Sequence, residues 1–340
     1  MKRILPLFLA LALLLTGCAA VSTTESTSQA VSQVDSSSSA LESAAESASS
    51  QLESVGEVSI TDSNGSQITL DTSAPRVVAA YGSFAEAWLL AGGELVGVTQ
   101  DALEQRDLGL PEDIAVVGTV KEPNAEEIIA LEPDLVLLAS DITAQAEIRD
   151  VLENAGLACA FFQVDTFADY AFMMEQLCAV TGREDLYEEN VTQVGQQIEE
   201  AQANAALSST RPNVLLIRAF STGIKAKTDD ELAGAILKDL GAHNIADDHP
   251  SMLEDLSLEE VIAADPDYIF VTTMGDEQKA LDYLNGLIQQ NPAWSELSAV
   301  KEDRYIVLPK DLFHYKPNNR WGESYQYLGE ILYPQLFHEE

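Results

Sequence analysis

Cysteine and histidine are scarce in this chain of 340 residues. Three cysteines are too few for a framework of several disulfides. The four histidines have no convergent metal-ligand spacing, so we predict neither a bound metal ion nor a cofactor. Cys159 lies in an apolar strand-like run and Cys178 on a helix. We expect two buried free thiols, with a bridge between them as the alternative.

Basic residues are also few, with 18 lysines and arginines against 56 acidic residues and a formal net charge of −38. This balance excludes nucleic-acid binding through phosphates and binding to an anionic membrane surface through charge. No run of eighteen apolar residues follows the N-terminus, so no internal membrane helix is expected. P-loop, GxSxG and HExxH motifs are absent, and we predict that the protein is not an enzyme.

The first 17 residues are typical of a secretory signal, with Lys2 and Arg3 before an apolar stretch too short to span a bilayer. The stretch ends in "LLTGC" at Cys18 and resembles the lipobox of bacterial lipoproteins. That resemblance implies cleavage before Cys18, a lipid on its sulfur and an outward-facing, membrane-anchored protein. An ordinary signal peptide containing a cysteine is the alternative. Residues 18–56 are rich in Ser and Ala and predict a disordered tether.

The rest of the chain predicts an α/β protein. Apolar strand-like runs alternate with helical segments, which favours buried parallel sheets. Residues 183–208 contain no proline and predict one helix of roughly 39 Å. We therefore expect an N-terminal lobe at 57–182 and a C-terminal lobe at 209–340, joined by this long rigid helix. A hairpin is predicted around the Asn64-Gly65 turn.

One segment occurs twice, as "EEIIALEPDLVLL" from Glu126 and as "EEVIAADPDYIFV" from Glu259. Each copy predicts a helix that stops before a proline, followed by an aspartate and an apolar strand. Each opens with a predicted capping box, formed by Asn124 with Glu127 and by Ser257 with Glu260. The repetition indicates the same helix–strand unit in both lobes.

From residue 76 to residue 334 the chain resembles the substrate-binding lipoproteins of bacterial ABC importers, especially those for ferric siderophores, haem and cobalamin. The stretches that carry the resemblance include "RVVAAYGSFAEAWLLAGGELVGV", "GTVKEPNAEEIIALEPDLVLLAS" and "SLEEVIAADPDYIFVTT". It implies a cleft between the lobes that binds a small-molecule metal chelate. It also implies a monomer that delivers its ligand to a permease dimer with an ATPase, and contact with the membrane through the lipid anchor only.

The resemblance also implies that one surface glutamate on each lobe docks into arginine pockets of the permease. By position in the repeated segment, these residues are Glu126 and Glu259. The alternative is that both glutamates only favour a helix N-terminus through its dipole.

Ligands of open α/β sheets bind outside the carboxyl ends of the strands. Residues that follow the predicted strands are therefore the candidates for the cleft. The predicted ligand-binding residues are Tyr81, Ser83, Lys121, Ser140, Arg218, Phe220, Lys227, Tyr315, Arg320 and Trp321.

Basic residues are concentrated in these loops, although the chain has few of them. The six are Lys121, Arg218, Lys225, Lys227, Lys316 and Arg320. A basic cleft with aromatic side chains indicates an anionic ligand, and a ferric siderophore fits this best. The alternative is that these loops simply collect charges.

Several alternatives stay open from the sequence. Haem would need an axial ligand, for which His314, Tyr315 and Met274 are candidates, and cobalamin is also compatible. A surface adhesin would share the tether and anchor. Part of the aromatic signal belongs to the core, because Trp321, Tyr325, Leu328 and Leu332 recur with helical spacing.

Overall fold

Two five-stranded sheets with flanking helices form the protein, in a computed structural model that describes residues 57–254 and 256–337. The predicted signal segment, Cys18 and the tether lie outside these residues. No helix in the described ranges is both long and apolar enough to cross a membrane. Cys159 and Cys178 are buried and unbridged, as predicted. Burial raises the pKa of the Cys159 thiol to about 12 and that of Cys178 to about 11.

The strands are short and most of their side chains are buried. In chain order they are β1 (Val58–Thr61), β2 (Gln67–Leu70), β3 (Val77–Ala79), β4 (Leu95–Val98), β5 (Ala115–Val116), β6 (Gly118–Thr119), β7 (Glu122–Pro123), β8 (Leu135–Ala139), β9 (Ala158–Phe162), β10 (Asn213–Phe220), β11 (Gly223–Lys227), β12 (His243–Asn244), β13 (Tyr268–Thr273) and β14 (Tyr305–Val307).

The helices lie between the strands and after the last of them. They are α1 (Gly82–Leu90), α2 (Asp101–Glu104), α3 (Ala125–Ala130), α4 (Thr143–Glu147), α5 (Arg149–Asn154), α6 (Phe167–Thr181), α7 (Glu184–Tyr187), α8 (Gln193–Ala206), α9 (Leu232–Asp239), α10 (Leu258–Ala264), α11 (Glu277–Gln290), α12 (Ser298–Lys301), α13 (Lys310–Phe313), α14 (Trp321–Leu332) and α15 (Pro334–Phe337).

The sheet of the N-terminal lobe has the strand order β5-β4-β3-β8-β9, and every pairing in it is parallel. All five residues of β8 are buried, because helices cover both faces of the sheet. The predicted hairpin of β1 and β2 is present, with Gly65 at a φ of +79° in its turn. The α/β lobe predicted from alternating apolar runs is therefore confirmed.

The sheet of the C-terminal lobe has the order β11-β10-β13-β14, with β12 beside the start of β10. Strands β10, β13 and β14 are parallel, whereas β11 is an antiparallel edge strand. Lys225 and Lys227 lie in β11, so the assignment of both lysines to a loop was wrong. The missed signal is the alternation of "GIKAK", in which Ala226 is buried between two lysines.

The repeated segment has the same geometry in both lobes. An acidic residue with a left-handed backbone follows each of the helices α3 and α10 within two residues, Glu132 at a φ of 46° and Asp265 at 41°. Two residues after each left-handed residue lies an aspartate. Its carboxylate accepts a hydrogen bond from a backbone N–H at the start of the neighbouring strand. The pairs are Asp134 with Arg76 at 2.7 Å and Asp267 with Asn213 at 2.8 Å.

The capping boxes predicted at the two helix starts are incomplete. Asn124 accepts from the backbone N–H groups of Glu126 and Glu127, and Ser257 accepts from that of Glu260. The reciprocal bonds are missing for a physical reason. The Asn124 N–H already binds the Val117 carbonyl, and the Glu260 carboxylate instead accepts a hydrogen bond from the hydroxyl of Ser251. Only the first half of each prediction is correct.

The segment between the lobes is helical from Glu184 to Ala206, where one helix over residues 183–208 was expected. A π-helical turn at Glu188–Thr192 separates α7 from α8. Helix α14 of the C-terminal lobe packs along α8 so closely that a Cβ on Gly322 would overlap the Gln197 side chain. One apolar cluster continues along these helices from the first lobe into the second, which gives the connection a packed core.

Candidate ligand-binding cleft

Tyr81 follows strand β3 at the carboxyl end of the N-terminal sheet and lies directly before helix α1. The Tyr81 ring is half-buried and meets Phe84 edge-on at a centroid distance of 5.2 Å. Burial raises the pKa of the Tyr81 phenol to about 12, with help from the Asp101 and Asp141 carboxylates. Tyr81 therefore stays neutral and can donate a hydrogen bond at physiological pH. The side of the Tyr81 ring that contacts Phe84 is not available to a ligand.

Arg106 joins the two lobes at this end of the sheet. Its guanidinium forms an ion pair with Glu86 and donates through Nη2 to the Ser83 hydroxyl at 2.8 Å. The same Nη2 donates to the carbonyl oxygen of Lys316 in the C-terminal lobe, also at 2.8 Å. Only 11% of the Arg106 side chain is exposed. Ser83 is thus used within the protein, as a partner of Arg106.

Asn318 completes this connection from the other lobe. Its backbone is left-handed with a φ of 51°, a conformation that asparagine tolerates better than most residues. Its buried Nδ2 donates to the Ser83 carbonyl at 2.9 Å and to Glu86 Oε2 at 2.6 Å. We call Ser83, Glu86, Arg106 and Asn318 with the Lys316 carbonyl the cross-lobe network. It fixes the loop that carries His314, Tyr315 and Lys316.

Lys316 makes a second and different contact with the N-terminal lobe. Its Nζ lies 3.1 Å from Oδ1 of Asp165, just after strand β9. The Lys316 side chain is 18% exposed and that of Asp165 is 51% exposed. Partial burial opposes ionisation of Asp165. A hydrogen bond from Gln163 and the Lys316 ammonium outweigh that effect, so the pKa of Asp165 falls below its usual range.

Two of the predicted cations share one carboxylate. Arg218 and Lys227 both form ion pairs with Glu231, the residue before helix α9, and Lys227 also lies 3.2 Å from Asp230. This neutralisation reduces the free positive charge that the sequence predicted here. Phe220, at the end of β10, is half-buried.

Arg320 is paired within its own lobe. It donates to Asp311 at 2.7 Å and to both oxygens of Glu323 at 2.7 and 2.8 Å. These bonds, from Glu323 first, raise the pKa of the Arg320 guanidinium further. A pocket of about 280 Å³ opens between Arg320 and Arg106. Charged side chains make up most of its lining, with Tyr315 as the aromatic member.

The positive side of the cleft centres on His314. Burial, followed by the charges of Arg218, Lys310 and Lys316, lowers the pKa of His314 to about 4. The imidazole is therefore neutral at physiological pH. Its Nδ1 is buried and has no hydrogen-bond partner in the described chain. Lys310, whose Nζ donates to the Gly275 carbonyl at 2.6 Å, was not predicted as a site residue.

The remaining predicted residues lie apart from this centre. Trp321 is 2% exposed and packs edge-on against Phe167 at 6.3 Å, so its ring belongs to the core between the lobes. Lys121 is exposed and has no ion-pair partner in the described ranges. Ser140 is half-buried, and its backbone N–H binds the Phe162 carbonyl at 2.9 Å.

Sequence reasoning missed several residues that shape the cleft. Arg106 follows strand β4, in a polar loop to which the strand-end rule was not applied. Gln145, which is fully buried, ties the ends of two strands together by binding the Ala80 carbonyl at 2.7 Å and the Ala139 N–H at 2.7 Å. Larger hollows, of about 730 and 440 Å³, flank the inter-lobe helix on other sides. We favour the cleft because polar groups of both lobes converge there.

Comparison with known proteins decides the family. A family model described as periplasmic binding protein matches residues 77–312, which is more than half of the chain. The chain belongs to the periplasmic binding protein family. A curated relative, the Fe(3+)-citrate-binding protein YfmC of Bacillus subtilis, is 26% identical over 269 residues, covering 76% of this chain and 80% of the relative.

Solved structures share the two-lobe fold of this periplasmic binding protein. Staphylococcus aureus IsdE complexed with heme has a TM-score of 0.62 at 19% identity, covering 76% of this chain and 99% of that one. Staphylococcus aureus SirA complexed with staphyloferrin B has a TM-score of 0.61 at 20% identity, covering 83% and 99%. At these identities the likeness establishes the fold alone.

The two glutamates of the repeated segment are both exposed in this periplasmic binding protein. Glu126 is at the start of α3 in one lobe, and Glu259 is at the start of α10 in the other. No hydrogen bond of either carboxylate is found within the described residues. Both side chains are therefore available at the surface.

Proposed function

We propose that this protein captures an anionic ferric chelate in the cleft and delivers it to the permease of an ABC importer. Its curated relatives include proteins named for Fe(3+)-citrate binding and for iron uptake, which supports an iron-containing ligand. Binding is non-covalent, and the protein is not an enzyme. The chelate is cargo, so the protein keeps no resident metal.

The observation that carries this proposal is the cation cluster around His314. Burial is the main cause of the low pKa of His314, and the charges of Arg218, Lys310 and Lys316 lower it further. Such a field favours the anionic oxygens of a chelate in a site shielded from water. Tyr81 and Tyr315 add neutral phenols that can donate hydrogen bonds. We place the chelate between these residues and Arg320.

Haem is the second candidate ligand, and His314 supports it. A neutral imidazole with an unpartnered nitrogen is a competent axial ligand for iron. The lining of the 280 Å³ pocket is mostly charged, however, and Trp321 is unavailable as a flat surface. Both features favour a small hydrophilic chelate over a macrocycle.

Isothermal titration of the purified protein distinguishes these ligands. The titrants are ferric citrate, a ferric catecholate, a ferric hydroxamate, haem and cobalamin. We expect saturable binding of an anionic ferric chelate. Binding of haem alone would establish the second candidate, and binding of none of the five would contradict the proposal.

Delivery is proposed to use Glu126 and Glu259, with the lipid on Cys18 holding a monomer at the outer face of the membrane. The two carboxylates would dock on basic pockets of the permease, whose ATPase drives release. The double variant Glu126→Arg/Glu259→Arg should lose nearly all uptake of labelled iron chelate by whole cells, because like charges then meet. Its affinity for the chelate should not change.

The matched control is Glu147→Arg/Glu254→Arg, which reverses one exposed glutamate on each lobe outside the repeated segment. Uptake by this control should stay close to that of the wild type. Equal loss in both double variants would indicate a general effect of charge. Normal uptake by the first double variant would rule out docking through these residues.

A further inference from the structure

Lys316 contacts the N-terminal lobe through both its backbone carbonyl and its side-chain ammonium, and the two contacts differ. Its carbonyl accepts from the nearly buried guanidinium of Arg106, which holds the backbone in place. Its ammonium reaches Asp165 at 3.1 Å. No other ion pair of the described residues connects the two lobes. The Lys316–Asp165 pair is the exception.

Other cations near Lys316 favour a counter-charge at its ammonium. Its ammonium shares the neighbourhood of His314 with Arg218 and Lys310. Like charges in a partly buried site repel strongly unless an anion is present. Arg218 has Glu231 as a partner from its own lobe. Lys316 instead uses Asp165, from across the cleft.

The carboxylate of Asp165 can be replaced at Lys316 by another anion. About half of the Asp165 side chain is exposed, and such screened pairs are weak. Asp165 can be solvated by water if it leaves, and its other described partner is the exposed Gln163. A carboxylate that arrives with a ligand would offer Lys316 the same interaction in a more enclosed place.

We propose that Asp165 is a resident competitor for the anionic ligand of this cleft. In the empty protein its carboxylate neutralises Lys316, and a carboxylate or equivalent anionic oxygen of the chelate takes that place on binding. The inference rests on the proposed function and narrows it to chelates that present an anionic oxygen. A neutral chelate gains nothing from Lys316 and leaves the Lys316–Asp165 pair in place.

Titration calorimetry of Asp165→Asn tests the exchange, because asparagine keeps the shape and removes the competing charge. The probes are ferric citrate and a ferric trishydroxamate without net charge. Ferric citrate should bind the variant up to about fivefold more tightly than the wild type. Affinity for the neutral trishydroxamate should not change.

Two further variants complete the experiment. Asp185→Asn removes the acid of an exposed pair elsewhere in the chain and should leave both affinities unchanged. Lys316→Ala removes the receiving cation and should weaken ferric citrate binding about tenfold or more, without affecting the neutral chelate.

The outcomes separate the inference from the proposed function. Unchanged or weaker binding of ferric citrate by Asp165→Asn would overturn the resident competitor while the wild-type protein still bound iron chelates. Equal tightening of both chelates would also overturn it, since charge would then play no part. Failure of the wild type to bind any ferric chelate would overturn the proposed function and the inference together.

Discussion

The loop before helix α14 meets the N-terminal lobe through two contacts that differ in burial. In the first, Arg106 and Glu86 of the N-terminal lobe, which are 11% and 23% exposed, bind the Lys316 carbonyl and the Asn318 amide of the loop. The Lys316–Asp165 pair is 18% and 51% exposed. Only the first is enclosed on both sides. The difference indicates that one contact positions the loop and the other stays available to a ligand.

Burial determines this division because it sets the consequence of losing a partner. A carboxylate left alone among buried groups loses its counter-charge without regaining water. An exposed carboxylate regains water at once, so its pair contributes little to stability. The three predictions that follow measure this contrast.

Arg106→Ala should have the largest effect on stability. Glu86 would lose its counter-charge and the Lys316 carbonyl would lose its donor, so the free energy of unfolding should fall by about 3 kcal/mol. Urea denaturation measures it. Arg183→Ala, which breaks an exposed pair with Asp185, should cost less than about 1 kcal/mol. Equal losses in the two variants would remove the distinction between the contacts.

His314→Asn tests how burial and the neighbouring positive charges act on His314. The folded pKa of His314 is about 4, below the usual 6.5, so the unfolded chain takes up a proton first as the pH falls. Its contribution is present above pH 6.5 and is lost as the pH falls through 4. The wild type should lose on the order of 3 kcal/mol more than His314→Asn over this range. An equal loss of unfolding free energy in the wild type and in His314→Asn over this pH range would contradict the low pKa of His314.

Lys316→Ala should have the smallest effect on stability. Because Asp165 is largely solvated, the loss in urea denaturation should be about 1 kcal/mol or less. Lys301→Ala, which breaks another exposed pair with Glu296, provides the matched comparison. A loss as large as that of Arg106→Ala would show that both contacts are structural.

Much of the fold could be predicted from local patterns. The repeated segment identified equivalent units because a helix, a proline, an aspartate and an apolar strand each have local sequence signals. Its left-handed residues, Glu132 and Asp265, were not predicted, since neither is glycine or asparagine. Strand β11 was missed because it is a short edge strand with two lysines.

The cleft was harder to predict, because the state of a charge depends on partners distant in sequence. Arg106 and the Lys316 carbonyl are 210 residues apart, and Asp165 and Lys316 are 151 residues apart. The sequence places cations near strand ends but does not show which carboxylates neutralise them. Trp321 is a different case, since its helical stripe already indicated the core and the structure places it there.

A crystal structure of the protein with ferric citrate tests the central claim most directly. We predict a citrate oxygen within hydrogen-bonding distance of Lys316 Nζ, Asp165 turned away from that ammonium, and the cross-lobe network unchanged. A chelate bound away from Lys316, or an Arg106 that leaves Glu86 to hold the ligand, would contradict the account.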